Sequence, residues 1–173
     1  NINFITIGRL SPEKNHLTLI KAFEQVIKKH ENCKLYIIGH GKLHNELMKY
    51  INENKLEDKV FLVGYLSNPF ELLKLCDCFI LPSLYEGMGI VVLEAFTLQK
   101  PVIVSNIEGP RELVKSEYGV LVEPNTKELS AAMINFTKNG MKVKKFDYVN
   151  YNKKAMLIFY ENVLDKNKKM ISQ

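Results

Sequence analysis

Six short, continuously apolar runs alternate along this chain with longer segments in which apolar residues recur at helical spacing. Apolar runs without a polar face are typical of strands that are covered on both sides, as they are in a parallel sheet. Strands that alternate with helices along the sequence indicate successive βαβ units. The sequence therefore predicts an α/β fold in a single domain, a doubly wound parallel sheet of about six strands with helices on both faces. The strands are expected at residues 4–8, 34–38, 60–63, 78–81, 102–104 and 119–122.

Helices are predicted between these strands, and the 173 residues suit one domain with a sizeable core. Asn15 is expected to cap the first helix, because asparagine is a preferred N-cap residue. No apolar run approaches the roughly 20 residues that a membrane span needs. The chain opens with Asn1 in a strand pattern, without an initiator methionine, and we interpret it as an excised piece of a longer protein. The helices are expected at residues 17–27, 43–51, 69–75, 90–97, 110–114, 126–136 and 151–170.

The formal charge of +5 belongs to the end of the chain, because eight lysines and only three acidic residues follow Met141. Over residues 1–139 the basic and acidic side chains balance. Nucleic-acid binders more often show a basic working face that includes arginine, so no nucleic-acid partner is expected. The change of composition also predicts a boundary, with the sheet domain in residues 1–140 and a lysine-rich segment with a last helix in residues 141–173.

The cysteines and histidines give no sign of a metal site. Cys33, Cys76 and Cys78 are odd in number and lie in or beside apolar runs. This predicts buried, reduced thiols in a cytoplasmic protein rather than a disulfide. His40 and His44 have the i, i+4 spacing of a metal pair, but no third ligand is near them in sequence, so no metal is expected.

Several common enzyme motifs are missing from the sequence. No Gly-x-Gly-x-x-Gly opens the first helix and no Gly-x-x-x-x-Gly-Lys-Ser/Thr occurs, which removes the main support for an NAD-linked domain or a P-loop enzyme. Ser83 is not in a Gly-x-Ser-x-Gly elbow, so it is not expected to be a hydrolase nucleophile. His16 and His30 are expected at the surface, near helix ends, and Asp77 is interpreted as a structural residue ahead of a strand.

Most of the nine glycines follow predicted strands. In a parallel sheet these positions share the carboxyl edge, which is where ligands bind in doubly wound folds. Glycine is also frequent in the turns between strands and helices, so turn chemistry accounts for part of the pattern. We favour the interpretation that this edge binds a ligand. The glycines concerned are Gly8, Gly39, Gly41, Gly64, Gly87 and Gly89.

The stretch Pro82–Phe96 contains the clearest chemical signal in the sequence. Gly87 and Gly89 allow backbone N–H groups to approach a ligand at the start of a helix, which is a favourable anion site. Glu94 stands within Val-Val-Leu-Glu-Ala-Phe, where a carboxylate is unfavourable unless another group partners it. We interpret that partner as a ligand, and a lysine of the protein is the alternative.

A cationic loop is predicted on the same edge, where Arg9 and Lys14 follow the first strand. Arginine can bind an anion in bidentate fashion and lysine adds a point charge, which together suit a diphosphate. Carboxylates accept hydrogen bonds from vicinal hydroxyls, so Glu86 and Glu94 on either side of an anion site suggest a sugar, a diphosphate and a ribose. The alternative for the charged loop residues is that they are merely solvated.

Taken in order, these motifs resemble the C-terminal, nucleotide-sugar-binding domain of retaining family-4 glycosyltransferases of the GT-B fold. The resemblance runs from residue 4 to about residue 139, and it implies a Rossmann-like domain that forms one half of such an enzyme. One departure is His40, where many members have aspartate. The matching motifs are Gly8-Arg9-Leu10-Ser11-Pro12-Glu13-Lys14, Ile38-Gly39-His40-Gly41, Val63-Gly64, Pro82-Ser83-Leu84-Tyr85-Glu86-Gly87, and Glu86 with seven residues before Glu94.

The resemblance implies a role for each matching position. Arg9 and Lys14 would bind the donor diphosphate and Glu86 would hydrogen-bond the transferred sugar, so these three are the candidate catalytic residues. Glu94 would hold the ribose hydroxyls. The base would lie beside Tyr65-Leu66. The other donor-binding candidates are Gly8, Gly39 and Gly64, together with Gly87, Met88, Gly89 and Ile90, whose N–H groups would face sugar and phosphate.

The family also implies partners and a mechanism. The donor would be a nucleoside-diphosphate sugar, UDP-linked by expectation, and transfer to a glycan or lipid-linked acceptor would proceed with retention and without a metal or other cofactor, in cell-surface polysaccharide synthesis. An N-terminal acceptor-binding domain would be missing, so the chain alone would bind donor and transfer sugar poorly. The lysine-rich end would meet anionic lipid at the inner face of the plasma membrane. The alternatives are a nucleotide-binding module without catalysis and a GT-B sugar-phosphate epimerase.

Overall fold

The computed structural model describes residues 1–154, and within them six strands form one sheet in which every pairing is parallel. Each strand begins within two residues of its predicted start, so the predicted α/β fold is confirmed. The strands are β1 (Ile2–Ile7), β2 (Cys33–Ile38), β3 (Val60–Gly64), β4 (Cys78–Leu81), β5 (Val102–Ser105) and β6 (Gly119–Val122).

Helices connect the strands and cover both faces of the sheet. A 3-10 turn at Pro12–Lys14, which the sequence did not predict, precedes the first helix. A further helical segment begins at residue 148 and is described to residue 154, and the rest of the helix predicted at 151–170 lies outside the described residues. None of the helices within residues 1–154 combines the length and apolarity that a membrane crossing requires. The helices are α1 (His16–Ile27), α2 (His44–Glu53), α3 (Phe70–Leu75), α4 (Ile90–Thr97), α5 (Pro110–Leu113) and α6 (Thr126–Asn139).

The strand order is β3-β2-β1-β4-β5-β6, so the chain builds outward from β1 and then outward again from β4. β1 and β4 are neighbours at the centre of the sheet, where the order reverses. The connections that leave these two strands turn to opposite sides, which opens a crevice at their carboxyl ends. The loops that follow β1 and β4 therefore lie on either side of this crevice.

Alternate residues of the central strands enter two separate cores. Phe4 of β1 packs edge-on against Phe23 of α1 and Phe136 of α6, with ring centroids 6.3 and 5.7 Å away. The next residue, Ile5, belongs to the core on the opposite face, which contains Phe96 of α4. This period of two is what a strand covered on both sides requires, and it explains why the strand sequences show no polar face.

Phe146, which belongs by composition to the lysine-rich segment, packs on the second core, whereas Met141 packs against the first. The ring of Phe146 lies 5.3 Å from that of Phe96 and 5.5 Å from that of Tyr118. The Phe146 N–H donates to Gln99 Oε1 at 2.9 Å, and Gln99 Nε2 donates to the Phe146 carbonyl oxygen at 3.3 Å. These contacts extend the second core beyond the change of composition at residue 140.

The predicted burial of the cysteines and the structural role of Asp77 are confirmed. All three cysteines are free and buried, and burial raises the pKa of Cys76 to about 11, which keeps this thiol protonated at neutral pH. Asp77 Oδ2 accepts a hydrogen bond from the Asn3 N–H at 2.7 Å, and the Asp77 N–H donates to the Asn3 carbonyl oxygen at 2.8 Å. Asp77 thus aligns the start of β4 with the start of β1.

Two glycines in the loop after β2 are required by close contact between backbones. Gly39 has a φ of +144°, and a Cβ there would lie 1.9 Å from the carbonyl oxygen of Gly8. A Cβ at Gly41 would lie 2.4 Å from the carbonyl oxygen of Leu10. The loop after β2 therefore packs directly on the loop after β1, and the Leu10 N–H donates to the His40 carbonyl oxygen at 2.9 Å.

The variant Gly39→Ala should lose about 3 kcal/mol or more of the free energy of unfolding, because both the backbone angle and the contact with Gly8 must change. Gly87→Ala is the matched control, since a Cβ at Gly87 meets no atom within 4 Å, and its stability should change by less than about 1 kcal/mol. Urea denaturation of both variants measures the difference. Equal losses in the two would show that backbone packing does not require glycine at position 39.

Candidate functional site

The site is built from the loops that follow β1 and β4, at the point where the strand order reverses. These loops comprise residues 8–15 and 82–89. A backbone hydrogen bond joins them directly, from the Leu84 N–H to the Glu13 carbonyl oxygen at 2.8 Å. The two loops therefore form one continuous surface, although they are about 70 residues apart in sequence.

Asn15 holds three loops of the carboxyl edge together. It adopts a left-handed conformation, with φ 56° and ψ 32°, which asparagine tolerates better than most residues. Its Nδ2 donates to the carbonyl oxygen of Pro82, after β4, at 3.1 Å and to that of Pro124, after β6, at 3.2 Å. Asn15 is the N-cap residue of α1, as predicted, but its side chain does not accept a capping hydrogen bond. Its amide instead makes contacts between loops that local sequence does not reveal.

An open cleft of about 430 Å³ lies over these loops. Arg9 is exposed beside it and forms no ion pair with residues 1–154, whereas Lys14 is paired with Glu86. The stem of Lys14 lies over Gly8, where a Cβ would be 3.5 Å from Lys14 Cδ. The structure thus brings the three candidate catalytic residues into one cleft. Its lining consists of Arg9, Glu13, Lys14, Tyr85, Glu86 and Gly87.

The charged side chains of the cleft balance one another. The Lys14 and Glu86 side chains are only 22% and 12% exposed, so their ion pair is shielded from water more than a typical surface pair. Glu13 Oε1 accepts a hydrogen bond from the Ser11 hydroxyl at 2.5 Å, and this bond, together with the charges of Lys14 and Arg9, lowers the pKa of Glu13. Lys14 is therefore not the free cation that the sequence pattern suggests, and an anion must draw it away from Glu86.

The loop before α4 offers backbone donors that are not otherwise used. The N–H groups of Gly87, Met88 and Gly89 donate to no group within residues 1–154. Gly89 adopts φ 71° and ψ 45° at the N-cap of α4, which turns the loop sharply into the helix. Gly87, Met88 and Ile90 are exposed, whereas Gly89 is buried. This geometry is the one that an anion site at a helix N-terminus needs.

The loop after β5 supports this anion site, and no sequence signal pointed to it. Gly109 has a φ of +83°, and a Cβ there would lie 1.7 Å from the Gly87 carbonyl oxygen. A Cβ at Gly89 would lie 3.1 Å from Cγ of Pro110. The position of the Gly87 peptide is therefore set by a backbone contact from a third loop.

Glu94 lies one turn into α4 and is half-buried. Its carboxylate forms no hydrogen bond or ion pair with the described part of the chain. Burial raises its pKa, as expected for a carboxylate that leaves water without gaining a partner. The alternative in which Glu94 pairs with a lysine finds no support within residues 1–154.

The remaining candidates lie after β2 and β3, on the same edge of the sheet. The Gly39 N–H donates to the Gly64 carbonyl oxygen at 2.8 Å, which joins these two loops. Tyr65 is 72% exposed, and its ring meets that of His40 edge-on at 6.0 Å between centroids. Leu66 packs partly against the second core. These residues are not part of the lining of the cleft at Arg9, and their binding roles stay predictions.

Sequence reasoning missed two buried polar residues beside the cleft. Ser83 is fully buried and its hydroxyl donates to Glu86 Oε1 at 3.1 Å, a contact that only its position three residues before Glu86 suggests. His16, predicted at the surface, is buried because the first residue of α1 points inward, and His30 is half-buried. Burial, with the charge of Lys14, lowers the pKa of His16 to about 4, so its imidazole is neutral.

Across residues 1–154, no three His, Cys, Asp or Glu side chains are grouped so that they could hold a metal ion.

A model of the family described as Glycosyl transferases group 1 matches residues 1–156, which is most of the chain. The chain belongs to this glycosyltransferase family. It spans about a third of the length of the curated relatives that it matches, with 34% and 33% of two of them covered. The activity of a whole glycosyltransferase therefore involves more of the protein than the site described above.

Individual relatives and structures are similar to this glycosyltransferase chain over most of its length. UDP-Gal:alpha-D-GlcNAc-diphosphoundecaprenol alpha-1,3-galactosyltransferase of Escherichia coli is 39% identical over 126 residues, which cover 70% of this chain and 33% of that protein. Staphylococcus aureus TarM, crystallised with fondaparinux, alpha-GlcNAc-glycerol and UDP, has a TM-score of 0.75 at 30% identity, covering 80% of this chain and 29% of TarM. Anabaena HepE in complex with UDP-glucose has a TM-score of 0.73 at 28% identity, covering 80% of this chain and 39% of HepE. These neighbours are GT-B glycosyltransferases.

The free glycosyltransferase chain should become more stable at neutral pH when Glu94 is replaced by glutamine. Because the pKa of Glu94 is raised in the folded state, the wild-type chain loses stability as pH rises from the unfolded pKa through the folded one. Glu94→Gln removes the buried charge, so its Tm should exceed that of the wild type by about 1–3 °C at pH 7.5. The gain should vanish near pH 4, where the wild-type carboxyl is protonated.

Thermal unfolding at both pH values measures this difference. Glu57→Gln is the matched control, because Glu57 is exposed and should show no gain at either pH. A lower Tm for Glu94→Gln at pH 7.5 would mean that the Glu94 carboxylate already has a stabilising partner in the free protein.

Proposed function

We propose that this chain is the donor-binding domain of a glycosyltransferase that moves a sugar from a nucleoside-diphosphate sugar, UDP-linked, to a glycan or lipid-linked acceptor. The observation that carries the proposal is the cleft at the β1/β4 switch point. Arg9, Lys14, Glu86 and Gly87 line this cleft, and the N–H groups of residues 87–89 in the same loop donate to no group within residues 1–154. Cations and backbone donors suit a diphosphate, and an adjacent carboxylate suits sugar hydroxyls.

In the proposed mechanism the protein stabilises the leaving nucleoside diphosphate. Negative charge develops on the β-phosphate as the bond to the sugar breaks. Arg9, the N–H groups of residues 87–89 and Lys14, once it is drawn away from Glu86, would stabilise that charge. Since this chain supplies positive charge through its own side chains, we propose transfer without a metal ion or other cofactor. We also propose that transfer proceeds with retention of configuration at the sugar, because the motifs resemble those of the retaining family-4 enzymes.

The nucleoside would extend away from the cleft along the carboxyl edge. Glu94, half-buried and without a partner in residues 1–154, would accept hydrogen bonds from the ribose hydroxyls, which would replace the water that it lost on burial. The base would lie beside Tyr65-Leu66, where the 72% exposed Tyr65 ring offers an apolar face. Gly39 and Gly64 would keep the loops after β2 and β3 close to this position.

The choice of UDP and of a cell-surface product draws on the relatives. The name of the Escherichia coli relative includes UDP-Gal and a diphosphoundecaprenol acceptor, and a Staphylococcus aureus relative, 30% identical over 143 residues, is a poly(ribitol-phosphate) alpha-N-acetylglucosaminyltransferase. TarM and HepE were crystallised with UDP and UDP-glucose. We therefore propose a UDP-hexose donor and an acceptor in polysaccharide or lipid-linked glycan synthesis.

The whole enzyme would need parts that the described residues do not supply. We propose that an N-terminal acceptor-binding domain completes the cleft, that this chain is the C-terminal half, and that it works in the cytoplasm at the inner face of the membrane, where its lysine-rich end meets anionic lipid. We propose a boundary at residue 140 between the donor-binding domain and the crossover segment 141–173, which belongs to the same structural domain or packs across it and contributes Phe146 to the second core. A second candidate is a nucleotide-binding module without catalysis, which is favoured by the chain spanning only a third of its relatives.

Titration with nucleotides tests the proposed donor class. UDP should raise the unfolding temperature of the chain, and at a concentration 100 times the dissociation constant the stabilisation should reach about 2.7 kcal/mol. GDP, ADP and CDP at the same concentration measure selectivity for the base, and NAD is the control ligand. Stabilisation by NAD alone would contradict the proposal, and sugar transfer by the 173-residue chain alone would contradict the role of a separate acceptor domain.

Arg9→Ala should weaken UDP binding by roughly tenfold or more and leave uridine binding within about twofold, because a charge-assisted bond to phosphate is lost. Arg111→Ala is the matched control, since the Arg111 guanidinium is engaged by Asn106 at 2.7 and 2.9 Å. Isothermal titration of both variants with both ligands measures the effect. Equal losses for UDP and uridine in Arg9→Ala would mean that Arg9 supports the loop rather than the diphosphate.

A further inference from the structure

Glu86 is held by two donors that converge on one of its oxygens. Lys14 Nζ pairs with Oε1, and the Ser83 hydroxyl donates to the same oxygen at 3.1 Å. The other carboxylate oxygen, Oε2, has no hydrogen-bond partner within residues 1–154. The two oxygens of Glu86 are therefore not equivalent, because one is anchored by the protein and the other is left for a ligand.

The two donors on Oε1 differ in how firmly they are placed. Ser83 is fully buried, so its hydroxyl is shielded from solvent and needs a hydrogen-bond partner within the protein. The backbone is held on both sides of Ser83. The Pro82 carbonyl oxygen accepts a hydrogen bond from Asn15 Nδ2 at 3.1 Å, and the Leu84 N–H donates to the Glu13 carbonyl oxygen at 2.8 Å. Lys14, by contrast, has a flexible stem and lies in an open cleft.

We propose that Ser83 is a positioning residue that sets the orientation of Glu86 for the donor sugar. The inference rests on the proposed function and adds a residue to which no role has been assigned. When a diphosphate draws Lys14 away, the Ser83 hydroxyl keeps Oε1 in place, and Oε2 remains directed toward the sugar hydroxyls. Lys14 then binds the phosphate, and Ser83 alone holds the Glu86 carboxylate. Nucleotide binding and sugar binding therefore depend on different hydrogen-bond donors.

This division of roles has a measurable consequence. Loss of the Ser83 hydroxyl should affect ligands that carry a sugar and spare the nucleotide itself. Ser11 offers a matched control in the same cleft, because its hydroxyl donates to Glu13 rather than to Glu86, at 2.5 Å. Ser83→Ala and Ser11→Ala each delete one serine-to-glutamate hydrogen bond, but only the first concerns Glu86.

The experiment is isothermal titration of the 173-residue chain and its variants with UDP, UDP-glucose and UDP-galactose. For Ser83→Ala the dissociation constant for UDP should stay within about twofold of the wild type. That for the better-bound UDP-sugar should rise about five- to tenfold, because Glu86 loses one hydrogen bond that orients it, and a net hydrogen bond contributes about 1 kcal/mol. Ser11→Ala should leave the ratio of the two constants unchanged. Ser83→Thr, which keeps the hydroxyl, should retain the wild-type ratio even if its added methyl group weakens both ligands.

A double-mutant cycle keeps the test independent of any general effect on folding. In a Glu86→Gln background, Ser83→Ala should change the ratio of the dissociation constants for the UDP-sugar and for UDP by less than about twofold. The reason is that the carboxylate that Ser83 anchors is already absent. An unchanged ratio in Ser83→Ala, an equal loss for UDP and UDP-sugar, or a ratio in Ser83→Thr as poor as in Ser83→Ala would each overturn the assignment. Failure of the wild-type chain to bind UDP would instead overturn the proposed function.

Discussion

The hydrogen bonds that Asn15 donates to Pro82 and Pro124 are the contacts on which the site depends. They connect loops that follow β1, β4 and β6 and that are brought close only by the sheet. Because the loops after β1 and β4 are held at a fixed separation, Lys14 of one can reach Glu86 of the other. A left-handed residue with a double donor is needed at this point, and asparagine satisfies both conditions.

Electroneutrality is the second property of the cleft. Partial burial of a lysine and a glutamate costs each of them hydration free energy. In the free chain their mutual attraction offsets that cost. A ligand that carries both negative phosphates and hydroxyl donors can satisfy the two groups separately, whereas a simple anion would satisfy only Lys14. The pair therefore favours a composite ligand over phosphate alone. Arg9, exposed and free of ion pairs within residues 1–154, is the cation that we propose to meet an incoming anion first.

Glycine serves two distinct purposes along the carboxyl edge. At Gly39 and Gly109 a side chain would collide with the backbone of a neighbouring loop, at 1.9 and 1.7 Å. At Gly87 a Cβ would meet nothing within 4 Å, so the peptide group remains open to a ligand. The sequence marks Gly39 and Gly87 alike, since each follows a predicted strand, and it gives no signal for Gly109. Only the contacts between loops distinguish a glycine required by packing from one available for binding.

Much of the fold could be predicted because its signals are local. Continuous apolar runs such as Cys78–Leu81 predict buried strands, and apolar residues at helical spacing predict the helices between them. The candidate residues Arg9, Lys14 and Glu86 could also be named, since each follows a strand and the carboxyl ends of parallel strands share one edge. The burial of His16 and the hydrogen bonds of the Asn15 side chain could not be predicted, because both depend on neighbours distant in sequence.

The sequence by itself determined the order of strands and helices and the residue types available at the carboxyl edge. Only the tertiary structure decided which of those residues meet. It paired Lys14 with Glu86, buried Ser83 against the same carboxylate oxygen and left Glu94 without a partner in residues 1–154. The physical reason is that hydrophobic periodicity is carried by neighbouring residues, whereas charge pairing and desolvation depend on distances that are set when β1 and β4 come together.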